Sequence, residues 1–175
     1  LDFRLSQELC HHAGQGFWRA VDASTGRNCI VRVMDTEGEP RTHQLSELHR
    51  ERMLAERIGH DSVLRTDVPS IDASRVIQRV EPEPACFLHG NLELLGARLG
   101  VLQTLASAAA VLSAAHAIGV FHGTFSHASC LQSANGRLIV QGFSGDATGA
   151  TAVHKGISAD HRAFLLWASE LLLNT

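Results

Sequence analysis

The sequence predicts an α+β fold with two lobes, in which a β-rich N-terminal lobe carrying one helix precedes a mainly helical C-terminal lobe. Apolar runs of strand length, separated by turn-forming residues, fill most of the first half of the chain. Residues 81–84 are Glu-Pro-Glu-Pro, which favours a stiff extended connector. Beyond it, apolar residues recur mainly at helical spacing. We therefore expect an N-lobe over residues 1–81, a hinge at 82–86 and a C-lobe over 87–175.

The first predicted strands form a hairpin. Residues 17–20 and 28–34 are largely apolar and flank the sequence Asp-Ala-Ser-Thr-Gly, which is typical of a turn. Arg32 is the one charged residue of the second strand and shares a face with Ile30 and Met34. The simplest interpretation is an arginine exposed to solvent on an edge strand.

A charged helix is predicted over residues 42–58, after a break at 38–40, because apolar residues recur there at helical spacing. The members of this stripe are Leu45, Leu48, Leu54, Ala55 and Ile58. Two further strands are expected at 63–68 and 75–80.

The C-lobe pattern predicts a short turn at 92–96, an alanine-rich helix over 97–117 and a closing helix over 159–173. Short strands are expected at 120–121 and 137–140, around a turn at 133–136. Residues 144–156 are small and polar, which predicts a loop. The closing helix is apolar nearly all round, so we expect it to be central.

The composition limits the possible functions. Of the 175 residues, 45% are apolar and 19% are charged, and the net charge is -3, which argues against disorder and against nucleic acid as a partner. The four cysteines form no C-x-x-C pair, and the spacing of the eleven histidines is not that of a metal site. Residues 99–121 lack charge, but their alanine content favours a core helix over insertion into a membrane. The cysteines are Cys10, Cys29, Cys86 and Cys130.

Seven short segments are more informative than the composition, because of the order in which they occur along the chain. They begin at Glu8, Ile30, Glu51, His60, His116, Gly142 and Asp160. In this order they resemble the nucleotide loop, lysine strand, αC glutamate, His-Pro-Asn segment, catalytic loop, Asp-Phe-Gly motif and αF helix of bacterial Ser/Thr protein kinases. The resemblance covers nearly the whole chain and implies a bilobal protein-kinase-like fold with a shortened C-lobe.

The positions that perform chemistry in that family are filled differently here. Arg32 stands in place of the strand lysine, Thr124 in place of the catalytic-loop aspartate, and Ser129 in place of an asparagine that binds metal. Gly142 replaces the metal-binding aspartate, and Ser126 replaces the loop lysine. Threonine cannot accept a proton near neutral pH, and glycine has no side chain to bind Mg²⁺. The alignment also puts Cys10, His12 and Gln15 where the family has loop glycines.

The segment that holds a peptide substrate in the family is also short. Gly142 and Asp160 are only 18 positions apart, and no Ala-Pro-Glu occurs between them. We therefore expect a pseudokinase with no catalytic residues, no cofactor and no metal, and with weak or absent ATP binding. A vestigial cleft is expected at Arg32, Glu51 and Ile77, where Arg32 and Glu51 either pair or stay solvated.

The resemblance implies a regulatory domain in bacterial signalling that binds a protein partner or another part of its own chain. Its expected location is the cytoplasm or the cytoplasmic side of a membrane-tethered protein. The alternatives are a module that senses a nucleotide or small ligand, an atypical phosphotransferase, and an unrelated α+β domain. The phosphotransferase would use Arg32, Glu51, His122 and His127. Thr148 and Thr151 are candidate phosphorylation sites in the predicted loop.

Overall fold

The computed structural model describes residues 3–12, 14–35, 41–72, 75–88, 98–146 and 149–173. Within these ranges the fold is α+β. The strands are β1 (Phe3–His12), β2 (Gln15–Asp22), β3 (Asn28–Asp35), β4 (Arg65–Thr66), β5 (Ser70–Asp72), β6 (Arg75–Glu81), β7 (Pro84–Phe87), β8 (Val120–Phe121), β9 (Cys130–Ser133), β10 (Leu138–Val140) and β11 (Gly145–Asp146). The helices are α1 (Arg41–Ile58), α2 (Arg98–Ala117) and α3 (Ala150–Leu173).

The strands form three antiparallel sheets. The N-terminal sheet has the order β1-β2-β3-β6-β4, with β5 also pairing with β6. A second sheet has the order β10-β9-β7, and β8 pairs with β11. Because β7 follows β6 directly and joins the second sheet, the Glu-Pro-Glu-Pro segment leads from one sheet into the other.

The predicted hairpin between β2 and β3 is confirmed, and its turn has a clear physical basis. The Asp22 carboxylate accepts hydrogen bonds from the backbone N–H and hydroxyl of Ser24, at 2.8 and 2.6 Å. Gly26 closes the turn by donating its N–H to the Asp22 carbonyl at 2.7 Å. Its φ of 69° is a left-handed conformation that favours glycine.

Three apolar clusters hold these elements together. The largest contains Leu54 of α1, one face of α2, and Trp167 and Leu171 of α3. A second cluster lies between the two larger sheets and includes Phe17 and Phe87. The third covers the other face of the N-terminal sheet, where Val31, Val33 and Ile77 are buried together.

Several local predictions are wrong. β3 lies between β2 and β6, so Arg32 is not on an edge strand. The strand predicted at 63–68 is reduced to β4, with Val63 forming a single bridge to Val140. The predicted loop at 144–156 is helical from Ala150 onward, because α3 begins there. The expected features at 38–40 and 92–96 lie outside the described residues.

The helix α2 contains the one span among the described residues, Gly100–Ala117, that is long and apolar enough to cross a membrane by length and composition. Core helices pass the same test. Here the buried residues recur at helical spacing and form one face against the largest cluster. They are Val101, Thr104, Leu105, Ala108, Val111, Leu112 and Ala115.

Candidate functional site

A buried ion pair joins the N-terminal sheet to α1. Arg32 donates from Nη1 to Glu51 Oε1 at 3.1 Å and from Nη2 to Glu51 Oε2 at 2.9 Å. The two side chains are 2% and 12% exposed, so the alternative of two solvated side chains is wrong. A bidentate guanidinium–carboxylate contact is among the stronger and more directional pairs available to a protein.

Register and helix phase place these two groups together. Arg32 of β3 pairs with Gln78 of β6, and its Nη2 also donates to Gln78 Oε1 at 2.6 Å. Glu51 lies on the buried side of α1 between Leu48 and Leu54. Gln78 was not predicted as a site residue, although a lone glutamine in an apolar strand opposite Arg32 is a signal that could have found it.

A third, distant segment converges on the same carboxylate. The backbone N–H of Gly142 donates to Glu51 Oε1 at 2.9 Å. Burial opposes ionisation of Glu51, but the charge and hydrogen bonds of Arg32 and the Gly142 N–H outweigh it, so the pKa of Glu51 lies below its ordinary value. Gly142 has a φ of 84°, a left-handed conformation that favours glycine.

A second buried polar group anchors the segment that begins at His122. Asp160 of α3 is fully buried and accepts the backbone N–H groups of His122 and Gly123 at 2.7 and 2.8 Å, and contacts His116 Nε2 at 2.9 Å. His122 Nε2 lies 2.7 Å from the Gln141 carbonyl. Burial, partly offset by that carbonyl and by the nearby carboxylates, lowers the pKa of His122. His122 is therefore held in place by its hydrogen bonds, and its burial disfavours the charged imidazolium.

Two adjoining cavities open beside the ion pair, with volumes of about 450 and 290 Å³. Both are lined by Gln15, Met34, Leu48, Glu51 and Gly142. The smaller one is also lined by Arg32, His122, Thr124 and Ser129. The structure thus brings together most of the residues predicted to lie in or near a cleft.

Ile77 is the exception, and its placement in the cleft was wrong. Its pairing partner is Val33, and both residues face the third cluster on the opposite side of the sheet. Successive strand residues point to opposite faces, so the next residue, Gln78, takes the position beside Arg32. Ile77 is 2% exposed and has a packing role.

The space between the two larger sheets is filled by the chain's own side chains. The rings of Phe17 and Phe87 lie 5.6 Å apart, and the His12 ring lies 5.4 Å from Phe87. Phe17 is fully buried and Phe87 is 5% exposed. Alongside them, Gln15 at the start of β2 donates to Gln141 Oε1 at 2.8 Å, which links the β1–β2 turn to the segment after β10.

Two surface ion pairs that share Asp146 lie at the outer end of the site. Asp146 of β11 accepts from Arg50 at 2.8 Å and from Arg57 at 3.0 Å, and both arginines belong to α1. Hydrogen bonding to Arg50, assisted by Arg57, lowers the pKa of Asp146. Because these groups are largely exposed, each pair contributes only about 0.2–1 kcal/mol.

The remaining candidates are less informative. His127 begins a short 3-10 turn, His127–Ser129, that follows the His122 segment. Thr151 is exposed in the first turn of α3 rather than in a loop, and Thr148 lies outside the described residues. Among the described residues, no three His, Cys, Asp or Glu side chains are grouped as metal ligands would be.

No protein-family model matches this chain. No curated protein matches its sequence with significant similarity either. The functional assignment therefore depends on the geometry of the site and on the resemblance in the sequence.

Proposed function

We propose that this chain is a bilobal, protein-kinase-like domain that has lost phosphoryl transfer and serves as a protein-interaction or regulatory scaffold. The observation that carries the proposal is the convergence of Arg32, Glu51 and Gly142. The resemblance equates these residues with the strand lysine, the αC glutamate and the first residue of Asp-Phe-Gly. Their convergence supports the scaffold, since they come from three distant segments.

The side chains around this point are poorly suited to phosphoryl transfer. Phosphoryl transfer needs a positioned proton acceptor and carboxylates that hold Mg²⁺. Thr124 and Gly142 supply neither, and both oxygens of Glu51 are already bound by Arg32. His122 Nε2 is engaged by the Gln141 carbonyl, and its Nδ1 faces the Thr124 N–H at 3.4 Å.

The aromatic packing also argues against a bound nucleotide. A nucleotide held between the two lobes would enter beside the β1–β2 turn, where Phe17, Phe87 and His12 already pack. The hydrogen bond between Gln15 and Gln141 spans the same opening. Opening this region would expose apolar surface and break that bond, so weak or absent ATP binding is the expected behaviour.

A second candidate function is sensing of a small ligand without catalysis. The observation that favours it is the smaller cavity, which is lined by Arg32, together with the Arg32 Nε, which is buried without a hydrogen-bond partner. A buried unpaired donor is costly, and an acceptor entering the cavity could satisfy it. This candidate requires ligand binding that does not depend on a metal ion.

The proposed partner is another protein or another domain of the same chain. In the bacterial proteins that the resemblance indicates, such domains lie in the cytoplasm or at the cytoplasmic side of a tethered membrane protein. The net charge of -3 gives no electrostatic support for binding nucleic acid.

Thermal unfolding with ATP, in the presence and absence of Mg²⁺ or Mn²⁺, tests the proposal together with transfer of labelled γ-phosphate to a generic protein substrate. We expect no metal-dependent rise in Tm and no phosphate transfer. Metal-dependent stabilisation with turnover would overturn the proposal. Stabilisation by nucleotide without metal would favour the sensing function. The Phe17→Val variant is measured alongside the wild type, because it loosens the aromatic packing that opposes nucleotide binding.

A further inference from the structure

The adjoining cavities beside the ion pair are lined by residues that carry unpaired polar atoms. Among the described residues, four buried side-chain nitrogen or oxygen atoms have no hydrogen-bond partner. Two of the four belong to residues that line these cavities: Arg32 Nε at the smaller cavity and Gln44 Oε1 at the larger one. Buried polar groups are normally paired, so the concentration of unpaired atoms at one place needs a physical explanation.

The charges around the two cavities favour an uncharged occupant. The Arg32 guanidinium is neutralised by Glu51 at 2.9 Å, and Arg50 at the larger cavity is engaged by Asp146 at 2.8 Å. A bound anion is held best by a cation that is free to pair with it, and neither arginine is free. The other Asp, Glu, Lys or Arg residues of the lining are acids, namely Asp35 and Glu47. A phosphate group would therefore meet carboxylates without gaining an ion pair.

The unpaired atoms have opposite hydrogen-bonding roles, which restricts the chemistry of the occupant. Arg32 Nε requires an acceptor, whereas Gln44 Oε1 requires a donor. A hydroxyl group both donates and accepts, so a molecule with several hydroxyls satisfies both atoms with one kind of group. The side-chain hydroxyls of Thr124, Ser126 and Ser129 also line the smaller cavity and are able to exchange hydrogen bonds with such a molecule.

The size and walls of the cavities suit a small molecule. Their volumes of about 450 and 290 Å³ together lie within the range of about 300–1,000 Å³ that is typical of small-molecule sites. Met34 and Leu48 line both cavities, so apolar contact is available for the carbon skeleton of the ligand. Five lining residues are shared between the two cavities, which places both unpaired atoms within reach of one ligand.

We propose that the two cavities form one binding site for a small, uncharged, polyhydroxylated molecule, a sugar or a polyol. One ligand hydroxyl accepts from Arg32 Nε and another donates to Gln44 Oε1. This inference rests on the second candidate function, ligand sensing without catalysis, and names the class of ligand. It does not depend on the loss of phosphoryl transfer.

Saturation-transfer NMR of the 175-residue chain tests the class of ligand, with D-glucose, myo-inositol and maltose as probes at millimolar concentration. We expect transfer of magnetisation from the protein to at least one of these probes. Inorganic phosphate is the charged counterpart, and it should not displace a bound probe, because the two arginines at the site are already paired. The NMR signal reports direct binding, whereas a Tm would also respond to the general stabilising effect of polyols.

Variants of the two unpaired atoms test the position of the ligand. Gln44→Leu and Arg32→Lys should each weaken probe binding at least about fivefold, since each removes one hydrogen bond to the ligand. Gln44→Leu should not lower Tm without ligand, because the oxygen it removes has no partner in the free protein, and a purely structural role would lower it. Gln103→Leu is the matched control: Gln103 is an exposed glutamine of α2 at a separate cavity, and its substitution should leave probe binding unchanged.

Three results would overturn the inference. One is the absence of transfer to all of the probes, which would show that water alone satisfies the two atoms. Another is binding that neither Gln44→Leu nor Arg32→Lys weakens. The third is displacement of the probe by phosphate or ATP, which would retain ligand sensing but assign the site to an anion. Failure of the scaffold proposal is read separately, from metal-dependent transfer of the γ-phosphate.

Discussion

Arg32 can be buried because its guanidinium donates hydrogen bonds to three oxygen atoms. The two carboxylate oxygens of Glu51 and the amide oxygen of Gln78 lie within 3.1 Å of its Nη atoms. An unpaired guanidinium in the same place would cost several kcal/mol. The pair therefore makes the position of α1 depend on the register between β3 and β6.

The two members of the Arg32–Glu51 pair should contribute to stability as a coupled unit, so that their separate losses are not additive. We expect Glu51→Gln or Arg32→Met alone to lower the free energy of unfolding by about 3–5 kcal/mol, since each leaves a buried charge unpaired. The double variant should lose clearly less than the sum, because the glutamine introduced in place of Glu51 still accepts the Gly142 N–H and neither member of the pair remains charged. Urea unfolding of the wild type, the two single variants and the double variant measures the coupling energy. Additive losses in the free energy of unfolding would contradict the coupling.

His122 should make stability depend on pH. Its pKa is lowered in the folded state, so between that pKa and the unfolded value near 6.5 the unfolded chain binds more protons. Stability therefore falls as the pH falls below about 6.5, by up to about 1.4 kcal/mol per pH unit from this group.

The test compares the pH dependence of unfolding for the wild type and for His122→Gln. The wild type should lose stability more steeply between about pH 6.5 and 5, whatever the absolute stability of the variant. Equal slopes would show that His122 is not held neutral. Glu51 affects stability only at lower pH, because its pKa is lowered from about 4.5 in the folded state. Its contribution to the free energy of unfolding is lost only as the pH falls below that value.

At the scale of elements, α3 shows why composition misled the prediction of a loop. Its first turns contain small and polar residues, which favour turns when considered alone. In the fold, Gly156 of α3 and Gly145 of β11 both lie against the ring of Phe121. Small residues are therefore what allow this end of the helix to pack closely.

Gly156→Ala should reverse the usual effect of that substitution. Alanine in a helix interior normally stabilises by about 0.5–1 kcal/mol relative to glycine. Here the added Cβ would overlap the Phe121 ring, and we expect a net loss of about 1–3 kcal/mol. Thermal unfolding measures the difference.

Gly149→Ala is the control for this prediction, since a Cβ at Gly149 meets nothing within 4 Å. Gly149 is the residue before α3, where alanine caps a helix less well than glycine, so the loss should stay below about 1 kcal/mol. Phe121→Leu in the Gly156→Ala background should recover part of the loss. A stabilising Gly156→Ala would contradict the close packing of α3 on β8.

At the scale of the molecule, the cluster between the two larger sheets connects the halves of the chain. Phe17 and Ile30 come from the N-terminal sheet, and Phe87, Leu131 and Ile139 come from the second. Removing apolar contact there should weaken the coupling between the halves more than it weakens either half.

The two tryptophans can report this coupling, because Trp18 lies in β2 and Trp167 in α3. In Trp18→Phe and Trp167→Phe proteins, each with one fluorophore, we expect coincident urea transitions. Adding Phe87→Ala should lower stability by about 3–5 kcal/mol and separate the two transitions. Transitions that already differ without Phe87→Ala would show that the halves unfold independently.

The features predictable from sequence were those governed by local pattern. The hairpin at Asp22–Gly26, the helices α1 and α2, and β6 follow from turn chemistry and periodicity. The resemblance in segment order offered the Arg32–Glu51 contact as one of two alternatives, and the structure shows that contact. The placement of Ile77 in the cleft failed because strand faces alternate, so an error of one residue moves a side chain to the opposite surface.

The sequence by itself determined the α+β class, most of the helices, and the absence of a carboxylate at Thr124 and Gly142, because these depend on residue type and local spacing. Only the tertiary structure decided that β3 is an inner strand, that Arg32 is buried and that α3 buries one face and exposes the other. Burial depends on which elements cover a surface, and that is a property of long-range packing rather than of any local pattern.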